Sequence, residues 1–157
     1  MKRLIVLAIC AVLFSMSAFA GVPGKTEVTL SGALVDVNDG PNIWFATGDC
    51  LFPLGNGHVV LGPTITLGSK DVAENAGVAL DWNLMGQKSG TFFIGASASY
   101  FSQSLEDAED FAVTARAGFK FNVGKGALLK LYATQIVDGR GADVSDLAVA
   151  VGIGAKF

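Results

Sequence analysis

DFAVTARAGFKFNV, residues 110–123, alternates without a break. Phe111, Val113, Ala115, Ala117, Phe119, Phe121 and Val123 fall on one side of an extended chain, and Thr114, Arg116, Gly118, Lys120 and Asn122 fall on the other. The period of two makes this a β-strand with one apolar face. The opposite face mixes small residues with two cations, and that mixture decides which way the strand faces.

Working outward, glycines and polar clusters cut residues 21–157 into eight such segments, approximately 27–37, 42–54, 58–68, 74–86, 91–102, 110–123, 127–138 and 145–157. Each is close to the roughly 9 to 11 residues a tilted strand needs to cross a bilayer. The connections are of two kinds. Gly55-Asn56-Gly57, Gln87-Lys88-Ser89-Gly90 and Gly124-Lys125-Gly126 are tight hairpin turns, and they alternate with connections around Asp39, Asp71, Asp107 and Gly141 that include the longest one. Charge divides the same way. Asp36, Asp39, Asp71, Glu74, Glu106, Asp107, Glu109, Asp110, Asp138, Asp143 and Asp146 all lie toward the second kind of connection, whereas the tight turns carry Lys88 and Lys125 and no acid.

The composition is 51% hydrophobic and 16% charged, greasy for a soluble domain of this length. Beyond residue 20 no continuous apolar run is long enough for a membrane-spanning helix, so insertion has to use strands. An eight-stranded barrel has an interior only wide enough to be filled by its own side chains or to hold one small ligand. Bulky Phe, Leu, Ile and Val faces would crowd that space, while Gly, Ala, Ser and Thr faces would make a soluble surface short of charge. Turning the barrel inside out resolves both, with bulky apolar groups to lipid and small or charged groups to the lumen. The predicted fold is therefore all-β, an eight-stranded antiparallel transmembrane barrel with short periplasmic turns and longer outward loops.

The N-terminus fits export. Lys2 and Arg3 precede an apolar run from Leu4 to Phe14, and Ala18-Phe19-Ala20 has the small-residue pattern of a cleavage site, so residues 1–20 read as a signal peptide and 21–157 as the barrel. Cys50 is the only cysteine left after processing and reads as a small apolar strand residue.

The last segment, LAVAVGIGAKF (147–157), ends the chain on an aromatic residue. It resembles the C-terminal assembly signal of bacterial outer-membrane proteins, with Phe157 as the terminal aromatic and Gly152 as the upstream glycine, although Ala155 and Ala150 stand where a larger apolar and a polar residue are more usual. With the repeated strand pattern, the chain resembles the small eight-stranded barrels of the Gram-negative outer membrane, the OmpA transmembrane domain and OmpX type. That resemblance implies insertion from the periplasm with the help of periplasmic chaperones and the barrel-assembly machinery, and contact with outer-membrane lipid and lipopolysaccharide. It implies no single activity.

Inside the barrel, Glu27, Asp49 and Asp81 fall on lumen-facing positions, as do Arg116, Lys120, Lys130 and Lys156. Opposite charges in a narrow lumen should pair. Asp49, Asp81 and Arg116 are expected to meet near mid-height beside Tyr132, with Glu27 and Lys156 facing each other across the closing seam. Glu106, Asp107, Glu109 and Asp110 form a candidate loop for divalent cations bridging lipopolysaccharide phosphates. His58, the single histidine, sits beside a tight turn and offers no triad with access to lipid. GIGAKF lacks the spacing and hydroxyl residue of a phosphate loop. No His/Cys cluster has zinc spacing, no cofactor is implied, and a net charge of −3 without a basic patch argues against nucleic acid. A structural envelope protein is the leading reading, a narrow cation-favouring pore the second, and a soluble periplasmic lipid-binding barrel the third.

Overall fold

The computed structural model describes residues 25–35, 43–55, 57–68, 75–87, 89–101, 111–139 and 147–157. Eight strands follow in chain order: β1 (Glu27–Val35), β2 (Ile43–Leu54), β3 (Val59–Gly68), β4 (Asn75–Gln87), β5 (Gly90–Phe101), β6 (Phe111–Asn122), β7 (Ala127–Gly139) and β8 (Ala148–Lys156). Each is antiparallel to its chain neighbours, and β1 pairs with β8 to close the barrel. Closure leaves no strand edge, so each strand pairs on both sides within the wall, as an apolar surrounding demands. Among the described residues no helix is long and apolar enough to cross a membrane.

The tight turns form where glycine supplies the backbone conformation. Gly55 and Gly57 have φ of 56° and 81° between β2 and β3, and Gly124 and Gly126 have φ of 81° and 88° between β6 and β7. The Gly57 N–H donates to Leu54 O at 3.0 Å, and the Val123 N–H to Ala127 O at 2.9 Å, closing both hairpins.

Alternation sorts the side chains as the sequence pattern requires. Val149, Val151 and Ile153 of β8, Phe119 and Phe121 of β6, and Leu30 of β1 are exposed on the outside. Large aromatics collect near both rims, with Trp44, Tyr100 and Phe111 at one end of their strands and Trp82, Phe119 and Phe121 nearer the tight turns. This is the arrangement of an apolar band flanked by interfacial aromatics. Phe92 and Phe119 meet edge to face with centroids 5.2 Å apart, tying β5 to β6 on this outer face.

The expectation that only small and charged groups fill the lumen needs correction. Leu51, Val60, Phe93 and Leu128 are buried on inward positions, and Leu51, Val60 and Ala79 form one apolar cluster. They occupy the tight-turn half, where the charged side chains leave gaps that apolar bodies fill.

Two close approaches explain particular glycines. Gly152 pairs with Ser31 across the β1–β8 seam, and a Cβ on it would overlap the Ser31 side chain. Gly62 lies where β3 meets β2, and a Cβ there would overlap the Cys50 carbonyl oxygen. The neighbouring Pro63 has no N–H to give the β2–β3 ladder, which resumes at Phe52 and Leu61.

Candidate functional site

The inward faces of six strands converge on one network. β1 supplies Glu27, β2 Asp49, β4 Asp81, β6 Arg116 and Lys120, β7 Lys130, and β8 Lys156. Arg116 donates from Nε to Asp81 Oδ1 at 2.7 Å and from Nη1 to both Asp49 oxygens at 3.2 and 3.1 Å. Lys130 Nζ bridges the same two carboxylates, 3.2 Å from Asp49 Oδ2 and 3.0 Å from Asp81 Oδ2. Lys120 Nζ reaches Asp81 Oδ2 at 3.0 Å and Glu27 Oε2 at 2.7 Å. Lys156 Nζ completes the chain at 3.1 Å from Glu27 Oε1.

These seven side chains are all buried except Lys156, whose side chain is 18% exposed. Burial in a narrow interior strips water from each charge at a cost of several kcal/mol per ion. Multiple short ion pairs offset that cost, and removing one partner leaves the others uncompensated. The balance is unequal, since four cationic side chains face three carboxylates. Thr29 adds a long contact to Asp49 Oδ2 at 3.5 Å. Arg116 Nη2 is buried without a partner among the described residues.

Aromatic rings hold the lysines from the other side. Lys120 and Lys130 lie 4.9 and 4.7 Å from the centroid of Phe93, and Lys130 is 4.9 Å from that of Tyr132. The two rings meet edge to face at 6.2 Å. Phe93 was not among the residues singled out from the sequence. Its parity with Thr91, Gly95 and Ser97 was the signal, hidden because Phe92 and Ile94 beside it dominate the apolar reading of that strand.

The structure brings Glu27, Asp49, Asp81, Arg116, Lys120, Lys130, Tyr132 and Lys156 together inside the barrel. Gly152 faces inward at the seam, while Phe157 is exposed, its N–H donating to Thr26 O at 3.0 Å. His58 is exposed beside its turn, and Cys50 is a buried free thiol. Residues 1–20 and the loop carrying Glu106, Asp107, Glu109 and Asp110 lie outside the described residues.

Toward the tight turns the network is backed by Phe93, Leu51, Leu128 and Val60, all buried. In the other direction the inward positions change character. Beyond Asp49 comes Thr47, beyond Arg116 come Thr114 and Ala112, and β3, β5, β7 and β8 contribute Thr64, Thr66, Ser97, Ser99, Thr134, Ala150 and Ala148. Thr47 and Thr66 hydroxyls meet at 3.0 Å. The lumen is a charged, packed plug at one end and mostly small hydroxyl and methyl groups at the other, where Phe45 packs against the cluster of Ala33, Phe93, Tyr132 and Ala150.

No known family profile matches the chain, and no curated protein matches it. Solved structures do. A structure from work on de novo design of transmembrane β-barrels superposes with a TM-score of 0.64 at 16% identity, covering 86% of this chain and 97% of the other. The solution NMR structure of the de novo designed TMB2.3 gives 0.61 at 12% identity, over 86% and 95%. The Yersinia pestis outer membrane protein Ail, whose backbone structure was determined in a phospholipid bilayer nanodisc, gives 0.53 at 13% identity, over 85% and 99%. The chain has the fold of the eight-stranded antiparallel transmembrane β-barrels.

Proposed function

We propose that this protein is a structural component of the outer membrane, a barrel closed by its own side chains that contributes to envelope integrity or to contacts within the envelope. One observation carries the reading: seven ion pairs join the inner faces of six strands across the lumen, with six of their seven residues almost wholly removed from solvent. A path for ions needs water or exchangeable ligands along its length. Here the lumen is crossed by side chains paired with one another.

The rival pore reading predicts a preference for cations, yet four cationic groups against three carboxylates oppose cation entry at that point. A soluble lipid-binding barrel requires an apolar interior, whereas here the large exposed apolar residues lie on the outer wall and the lumen holds the charges. Lipid contact with that wall, delivery by periplasmic chaperones and the barrel-assembly machinery, and bridging of lipopolysaccharide through Glu106, Asp107, Glu109 and Asp110 complete the proposal. Export through residues 1–20 belongs to it as well.

The test is reconstitution in planar bilayers. The expected record shows no stable unitary currents. Reproducible open-channel steps would overturn the closed-barrel reading in favour of the narrow pore. Recovery from a washed outer-membrane fraction as a band whose gel migration shifts on boiling tests the location separately.

A further inference from the structure

At the tight-turn end the barrel opens into a bowl of about 650 Å³. Lys25 lines it from the approach to β1, Lys125 from the β6–β7 turn and Lys156 from the end of β8, with Asn83, Asn122 and Glu27 between them. Gly57, Gly124 and Gly126 line the same space. Having no side chains, they leave it open. A Cβ built on Gly124 would meet nothing within 4 Å.

Three lysines therefore line one concave volume, and the one carboxylate lining it among the described residues is already engaged. Glu27 gives Oε2 to Lys120 and Oε1 to Lys156. The plug beneath adds no spare negative charge, because Asp49 and Asp81 there face Arg116, Lys120 and Lys130. Lys25 and Lys125 form no ion pair among the described residues. A bowl with low-dielectric walls concentrates the field of such groups and draws in counter-ions. The three lysines stand side by side on one arc of the wall, because β8 lies between β1 and β7 and the Lys156 N–H donates to Gly126 O, so their charges reinforce one another along that side. This suits an anion with several oxygens, which lysines hold as point charges.

We propose that this bowl is a binding site for a multivalent phosphate-class oxyanion, held by Lys25, Lys125 and Lys156 with the Asn83 and Asn122 amides at its wall. The phosphate belongs either to a soluble compound or to an anionic lipid headgroup, which present the same chemistry to the site.

The experiment uses the barrel folded in phosphatidylcholine nanodiscs, with inorganic pyrophosphate titrated in at constant ionic strength against chloride and lysine side-chain NMR signals followed. A saturable response is expected, about tenfold weaker in a Lys25→Ala, Lys125→Ala double variant because two exposed charge contacts are lost. Both residues lie outside the ion-pair plug, and unchanged heat-modifiable migration establishes that the variant is folded. Should it fail to fold, Lys125→Gln alone goes through the same titration, with an expected loss of about threefold. Repeating the measurement in nanodiscs containing phosphatidic acid, whose phosphomonoester headgroup can carry two charges, separates the sources: a response to pyrophosphate places the anion in the aqueous phase, and a response to the anionic lipid alone places it on a headgroup. No saturable response to either probe, or equal responses in parent and folded variant, overturns the site.

Discussion

The two halves of the lumen are built from the same alternation of strand residues and do opposite things with it. In the half nearer the tight turns, Glu27, Asp81, Lys120 and Lys130 are packed against Phe93, Leu51 and Val60, and every one of these residues is buried. In the other half the inward positions are mostly Thr, Ser, Ala and Gly, with Thr66, Ser97, Thr114 and Thr134 only partly buried, as are the larger Phe45 and Ile136. Large and charged side chains fill a narrow barrel and make each position depend on its neighbours. Small hydroxyl side chains satisfy themselves locally, as Thr47 and Thr66 do. The difference teaches that closure and stability are concentrated in one half, leaving the other free to vary.

Three substitutions break or sharpen this contrast. Asp81 has the most to lose, since it contacts Arg116, Lys120 and Lys130. Asp81→Ala takes one carboxylate from each of three buried cations, leaving Arg116 and Lys130 to share Asp49 and Lys120 to rely on Glu27, and is expected to destabilise the barrel by about 3–5 kcal/mol, read as a lower urea midpoint for loss of the folded gel band. Stability unchanged from the parent would dissolve the distinction between the halves. Gly95 stands at their boundary, where a Cβ would overlap Asp81 Oδ1 and the Leu80 carbonyl oxygen. Gly95→Ala should cost about 1–3 kcal/mol, and combined with Asp81→Ala it should cost less than the sum, because the carboxylate it displaces is gone. Full additivity in that double-mutant cycle would show that Gly95 acts through the backbone alone. Thr47→Val, in the hydroxyl half, removes one partly buried hydrogen bond. Its expected effect is about 1 kcal/mol, measured by the same midpoint, and a loss as large as that of Asp81→Ala would mean the two halves are equally coupled.

Much of the barrel was readable beforehand because strand periodicity is local. DFAVTARAGFKFNV places Arg116 and Lys120 on one face and Phe119 and Phe121 on the other, and the structure buries the first pair while exposing the second. Glycine pairs mark hairpins for a similar reason, since positive φ at Gly124 and Gly126 is a property of those residues in that turn. The ion-pair partners were harder to read. Lys156 opposite Glu27 follows from pairing the first strand with the last. Lys120, in contrast, reaches both Glu27 and Asp81 across the lumen, and Lys130 bridges two carboxylates on non-adjacent strands. Such meetings depend on how far each tilted strand is staggered against the next, a quantity that accumulates around the barrel.

Phe93 marks the limit most clearly. An aromatic ring flanked by Phe92 and Ile94 looks like part of a lipid-facing surface, and only parity with Thr91 and Gly95 points it inward. Its purpose there is visible only once Lys120 and Lys130 are seen against its face. By itself the sequence determined that the chain forms strands, how many there are, where they turn and which face of each is apolar, because those properties repeat over two residues or sit within a single turn. The tertiary structure decided which charges pair, which apolar groups fill the gaps between them, and that lysines from three adjoining elements line one bowl, because those depend on closing the sheet and on the stagger with which it closes.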